Sequence, residues 1–102
     1  MSQFDVFRNA RGGAFPLIVD VQADLHTSLI SRIVVPLAAR ARAPARPITR
    51  LNPVITIGGA AYVLMFPLMA SVPKTSLGEL VGSLTAHRAT LLAALDLLLT
   101  GS

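Results

Sequence analysis

The sequence predicts a mainly β domain that ends in one C-terminal α-helix. Three features carry this expectation. Short apolar runs are separated by turn residues, the pairs Gly12-Gly13 and Gly58-Gly59 mark hairpins, and a leucine stripe of helical period lies near the C-terminus. With 102 residues, a single domain spanning 1–102 is expected.

Phe4 to Arg8 reads as a first strand, with Phe4 and Val6 on one face and Asp5 on the other. Asn9 to Gly13 then reads as a hairpin loop, because glycine reaches positive φ without a steric penalty. Leu17 to Gln22 follows as a strand, with Leu17, Val19 and Val21 on one face and Ile18, Asp20 and Gln22 on a more polar one. Asp24 to Ser31 is mixed in character and reads as a loop. Arg32 to Leu37 is almost continuously apolar, and Val34 with Val35 implies burial on both faces. Pro36 has no N–H for a ladder bond, so an edge or a bulge is expected there. Ala38 to Pro47, built from Ala, Arg and Pro, reads as a connection with no core of its own.

Leu51 to Ile57 and Ala60 to Phe66 flank Gly58-Gly59, a two-residue hairpin signal of the type I′ kind. Met69 to Val72 gives a further short strand before Pro73, and Ser76 to Val81 is ambiguous between strand and helical turn. In the C-terminal stretch Leu84, Leu91, Leu92, Leu95, Leu98 and Leu99 fall on one stripe at 100° per residue. Ser83 or Thr85 is positioned to cap the start of this helix, and Gly101 to follow its end. Leu97 lies outside the stripe, as surface or as a subunit contact.

Composition narrows the function classes. The chain is 53% hydrophobic and 14% charged, apolar for a globular domain of this size. Membrane insertion does not account for this. The stretch from Val54 to Ala70 is broken by Gly58, Gly59 and Pro67, and it falls short of the roughly 20 apolar residues a spanning helix needs. The N-terminal residues lack the basic and apolar regions of a signal peptide. A buried subunit interface explains the composition better, so a homodimer is expected. The absence of cysteine excludes disulfides and thiolate metal sites and fits a cytoplasmic location. The net charge is +4, and Arg40, Arg42, Arg46 and Arg50 cluster in the connection. Such a cluster suits an acidic partner or a solvated loop. It has no interleaved aromatics on which bases would stack, so direct nucleic-acid binding is not expected.

Nothing in the sequence predicts an enzyme. Ser28, Ser31, His26 and His87 are not joined by any motif that pairs a nucleophile with a base. The two histidines lack a second ligand at metal-binding spacing, and the glycine pairs lack the lysine and helix of a phosphate loop. No metal or cofactor is expected. Asp20 and Asp24 share one side of a strand-and-loop segment, and the structural reading is preferred: Asp20 on the polar face, Asp24 opening the loop.

Several segments, taken in order, resemble the CcdB family of bacterial toxins. They are Val19-Asp20-Val21-Gln22 with Asp24, Arg32 to Ala38, Pro53-Val54, Ile57-Gly58, Met69 to Pro73, and Gly78-Glu79. The resemblance runs from Phe4 to Gly101. It implies an antiparallel sheet of SH3-like barrel type, similar to the barrels of the MazF and Kid toxins, with a small β wing and one C-terminal helix. It further implies a symmetric dimer that is not a catalyst. Such a protein binds the A subunit of DNA gyrase, traps the cleaved-DNA complex, and is relieved by an acidic, disordered CcdA-like antitoxin. Plasmid maintenance and transcription regulation are the setting.

Residue by residue, the resemblance assigns gyrase binding to the C-terminal end, Leu99, Thr100, Gly101 and Ser102. Antitoxin binding falls to Leu25, His26 and Asp96. The family ends in Trp, Gly and an apolar residue, so here only Gly101 of the last three matches. The expectation is therefore weakened poisoning with the fold and dimer retained. Two alternatives remain at this level. One is a non-toxic relative that binds only an antitoxin; the other is a MazF-like endoribonuclease, for which Arg11, Asp20 and Arg32 are the available residues.

Overall fold

The computed structural model describes residues 2–23, 30–42 and 50–101. Among these residues, seven strands form one antiparallel sheet: β1 (Asp5–Asn9), β2 (Leu17–Asp20), β3 (Ser31–Ala39), β4 (Val54–Ile57), β5 (Ala60–Leu64), β6 (Ala70–Pro73) and β7 (Leu77–Ser83). The helix α1 (Arg88–Thr100) follows. The strand order is β4-β5-β3-β2-β1-β7, and β6 joins β3 beside β5. The sheet curls into a half-barrel, consistent with the fold expected from the resemblance. Among the described residues, no helix is long and apolar enough to cross a membrane.

β3 organises the sheet because it is long enough to serve two partners on one side. Ser31 to Val34 pair with β6, and Leu37 to Ala39 pair with β5. Pro36 falls where one partner gives way to the other. Its carbonyl accepts the Met65 N–H at 2.9 Å, and on an antiparallel strand a residue's N and O point to the same side. The missing N–H of Pro36 therefore faces a junction that needs no ladder bond. This corrects the expectation of an edge or bulge: a proline is accommodated in a central strand because its partners change there.

The main core lies between the concave sheet and the helix. Val6, Leu17, Val19, Val35, Leu37 and Leu64 meet Phe4, Phe66, Leu84, Leu91 and Ala94. A smaller cluster of Phe7, Ile18 and Val34 sits on the other face, so β2 is buried on both sides. The expected polar face of β2 is thereby corrected, and Asp20 is fully buried.

The ambiguous segment after Ser76 resolves as strand β7, because Asn9, Phe7 and Val6 of β1 supply its pairing partners. Gly78 is required at this contact. A Cβ there would sit 2.8 Å from the Arg8 carbonyl oxygen, a backbone atom that moves only with its strand. Gly78→Ala is predicted to separate β1 from β7 and lower stability by about 1–3 kcal/mol, as overpacking does. Urea unfolding checks this, and an unchanged midpoint would refute it.

The helix begins later than its leucine pattern suggests. Leu84 is buried before a 3₁₀ turn at Thr85–His87, and α1 starts at Arg88 with no side-chain cap. Ser83 does accept the Thr85 N–H at 3.2 Å, so it serves the turn and not the helix. Leu91 and Ala94 are buried, and Leu92, Leu95 and Leu98 pack partly against the core. Leu99 leaves the stripe and is 69% exposed.

Candidate functional site

The chain's last helical turn is closed by its own polar groups. The Thr100 hydroxyl donates to the Asp96 carbonyl at 2.6 Å. Gly101 takes φ 75°, and its N–H donates to the Leu97 carbonyl at 3.0 Å. This left-handed cap is the ending expected of a glycine after a helix. With the hydroxyl turned back on the helix, Leu99 is the large side chain the turn presents.

Leu99 and Leu95 form one wall of an apolar cleft of about 200 Å³, completed by Val21, Gln22, Ile33 and Met69. Three segments meet here: the residues after β2, the start of β3 and the residue before β6. Ile33 is 39% exposed because β3 alternates at this end, sending Arg32 inward and Ile33 outward. The volume is below the roughly 300–1,000 Å³ of small-molecule sites. A side chain from another polypeptide suits it better than a cofactor.

Behind this cleft, on the sheet face that carries Ile18 and Val34, lies a buried ion pair. Asp20 and Arg32 have no exposed side-chain surface, and Arg32 Nη2 is 2.9 Å from Asp20 Oδ2. Arg32 Nε donates to the same oxygen at 2.9 Å, and Nη2 also reaches the Gln22 carbonyl at 3.2 Å. Asp20 Oδ1 accepts the Gln22 N–H at 3.0 Å, and Gln22 Oε1 accepts the Ile33 N–H at 3.0 Å. Gln22 thus stands in for the ladder partner that β2, ending at Asp20, no longer gives Ile33. The pair holds the residues after β2 in a fixed path along one wall of the cleft.

The pairing was missed because strand register is not readable from the sequence. Asp20 lies opposite Val34, which makes Arg32 its diagonal neighbour on the same face. Opposite charges near the ends of two apolar strands were the available signal.

The structure gathers some expected residues and separates others. Leu99, Thr100, Gly101 and Asp96 share the end of α1, and Asp96 is exposed one turn before the cap. Leu25, His26, Asp24 and Ser102 lie outside the described residues, as does Arg46 of the arginine cluster. Arg40, Arg42 and Arg50 are exposed. The trio needed for RNA cleavage does not converge. Arg11 belongs to the β1–β2 hairpin, where its Nε donates to Ser76 Oγ at 3.0 Å, at the opposite end of β2 from Asp20. Asp20 and Arg32 are sealed from solvent. Among the described residues, no three of His, Cys, Asp and Glu gather to hold a metal ion.

The family model described as CcdB protein matches residues 3–101 of this chain, from the turn before β1 to the glycine cap of α1.

Proposed function

The chain belongs to the CcdB family, and on that premise we propose that it is the toxin of a type II toxin–antitoxin pair directed at the A subunit of DNA gyrase. The match over residues 3–101, nearly the whole chain, is the observation that carries this reading. On this reading the protein acts by binding and not by catalysis. It holds gyrase at the cleaved-DNA stage through the C-terminal turn of α1, and an acidic antitoxin segment releases it. The net charge of +4 suits that antitoxin. The apolar cleft, with the 53% hydrophobic composition, supports a homodimer.

One observation favours a second reading, a relative that keeps the antitoxin and has lost the gyrase contact. The Thr100 hydroxyl is committed to the Asp96 carbonyl, and its small side chain cannot fill an aromatic pocket. Induced expression in a bacterial host separates the two. The gyrase reading predicts growth arrest that co-expressed antitoxin relieves, with cleaved DNA accumulating on gyrase. Normal growth at high levels of folded protein would leave the antitoxin as the partner and discard the gyrase reading.

A further inference from the structure

We propose that the N-terminal turn, Ser2 to Asp5, is a latch that sets the spacing between the two walls of the cleft. One wall is formed by Val21 and Gln22, just after β2; the other is α1, through Leu95 and Leu99. The turn is bonded to both. Gln3 Nε2 donates to the Val21 carbonyl at 3.1 Å, while Gln3 Oε1 accepts from Arg88 Nη1 at 3.0 Å. Phe4 repeats the bridge with its backbone. Its N–H donates to the Asp20 carbonyl at 2.5 Å, and its carbonyl accepts the Leu84 N–H at 2.8 Å. The Arg88 guanidinium lies 5.9 Å from the centroid of the Phe4 ring, within cation–π range.

Phe4 has φ 70°, a left-handed conformation that a bulky residue rarely adopts. A glycine would take this φ freely, but it would leave the core without a ring that is 1% exposed. Such strain persists only where the surroundings over-determine it. Here a buried ring, two backbone bonds and the closed turn do so. Ser2 N–H reaches Asp5 Oδ2 at 2.8 Å, and Asp5 N–H reaches the Ser2 carbonyl at 3.0 Å. The latch joins the end of β2, beside the buried ion pair, to the first turn of the helix whose last turns line the cleft. Its relevance to partner capture rests on the toxin reading; its mechanics do not.

The test is methyl and amide NMR on the intact chain carrying Gln3→Ala with Arg88→Ala. Both side chains lie outside the buried core, so the fold is expected to survive. The Met69, Leu95 and Leu99 methyl signals should shift, and the Phe4 and Leu84 amides should exchange at least about tenfold faster through local opening. The Leu37 and Val63 signals should stay in place. Arg88→Lys keeps a cation over the ring and a donor for Gln3, and should match wild type. Arg8→Ala, on the exposed Arg8–Glu79 pair, is the control. Unmoved cleft methyls, equal acceleration of every amide, or the same changes in Arg8→Ala would overturn the latch. No partner enters these measurements, so their failure is distinct from failure of the toxin reading.

Discussion

Arg32→Leu is expected to lower stability by about 3–5 kcal/mol, because it leaves the Asp20 carboxylate buried without its cation. For a domain of this size, each kcal/mol moves the melting temperature by roughly 4–8 °C. A fall of more than about 12 °C should therefore be seen by calorimetry. The size of the effect follows from burial: neither side chain has exposed surface, so water cannot replace the lost partner. The double variant Asp20→Leu with Arg32→Met should recover most of the loss, since a well-packed apolar pair often matches a buried ion pair. It should still fall short of wild type by about 1–3 kcal/mol. The Gln22 N–H and carbonyl lose their partners in the double variant, and unsatisfied polar groups cost about that much when buried. A single-variant loss under about 1 kcal/mol would mean that the pair is hydrated in solution.

Thr100→Trp carries the largest expected functional effect. An aromatic anchor in a central pocket contributes about 2–4 kcal/mol to an interface. At about 1.4 kcal/mol per tenfold, that is roughly 30- to 700-fold in affinity. Isothermal calorimetry against the dimerisation region of the gyrase A subunit should show weak binding for wild type and a clear gain for the variant. The fold should tolerate the change. Thr100 is exposed, its hydroxyl gives up the bond to the Asp96 carbonyl, and the Gly101 cap is made by a backbone N–H. Thr100→Ala is the companion measurement: it removes the same bond without adding a ring, and no gain is expected. If the tryptophan variant bound no more tightly than the alanine variant, the C-terminal turn would not be the gyrase contact of this chain.

The elements with strong local chemistry were legible in the sequence. Gly12, Gly13, Gly58, Gly59 and Gly101 all adopt positive φ, where turns and a helix end were expected from glycine's freedom. The leucine stripe located α1, and the run at Arg32 to Leu37 located the central strand. The candidate site was only half legible. Its C-terminal part came from the resemblance, residue by residue. Its cleft did not, because Val21, Ile33 and Met69 are ordinary apolar strand residues until the sheet curls and brings them to Leu95 and Leu99.

Local sequence alone therefore determined which segments turn, which extend and which segment coils. Each of these choices depends on backbone freedom or on side-chain period within a few residues. Register and partner choice were decided only in the tertiary structure. Asp20 reads as a polar-face residue until β3 brings Arg32 to it across the sheet. Pro36 reads as an edge marker until β5 and β6 divide β3 between them. Phe4 reads as a strand residue until burial of its ring and two backbone bonds hold it at φ 70°. In each case, contacts between residues far apart in the chain outweighed a local preference of about one to three kcal/mol.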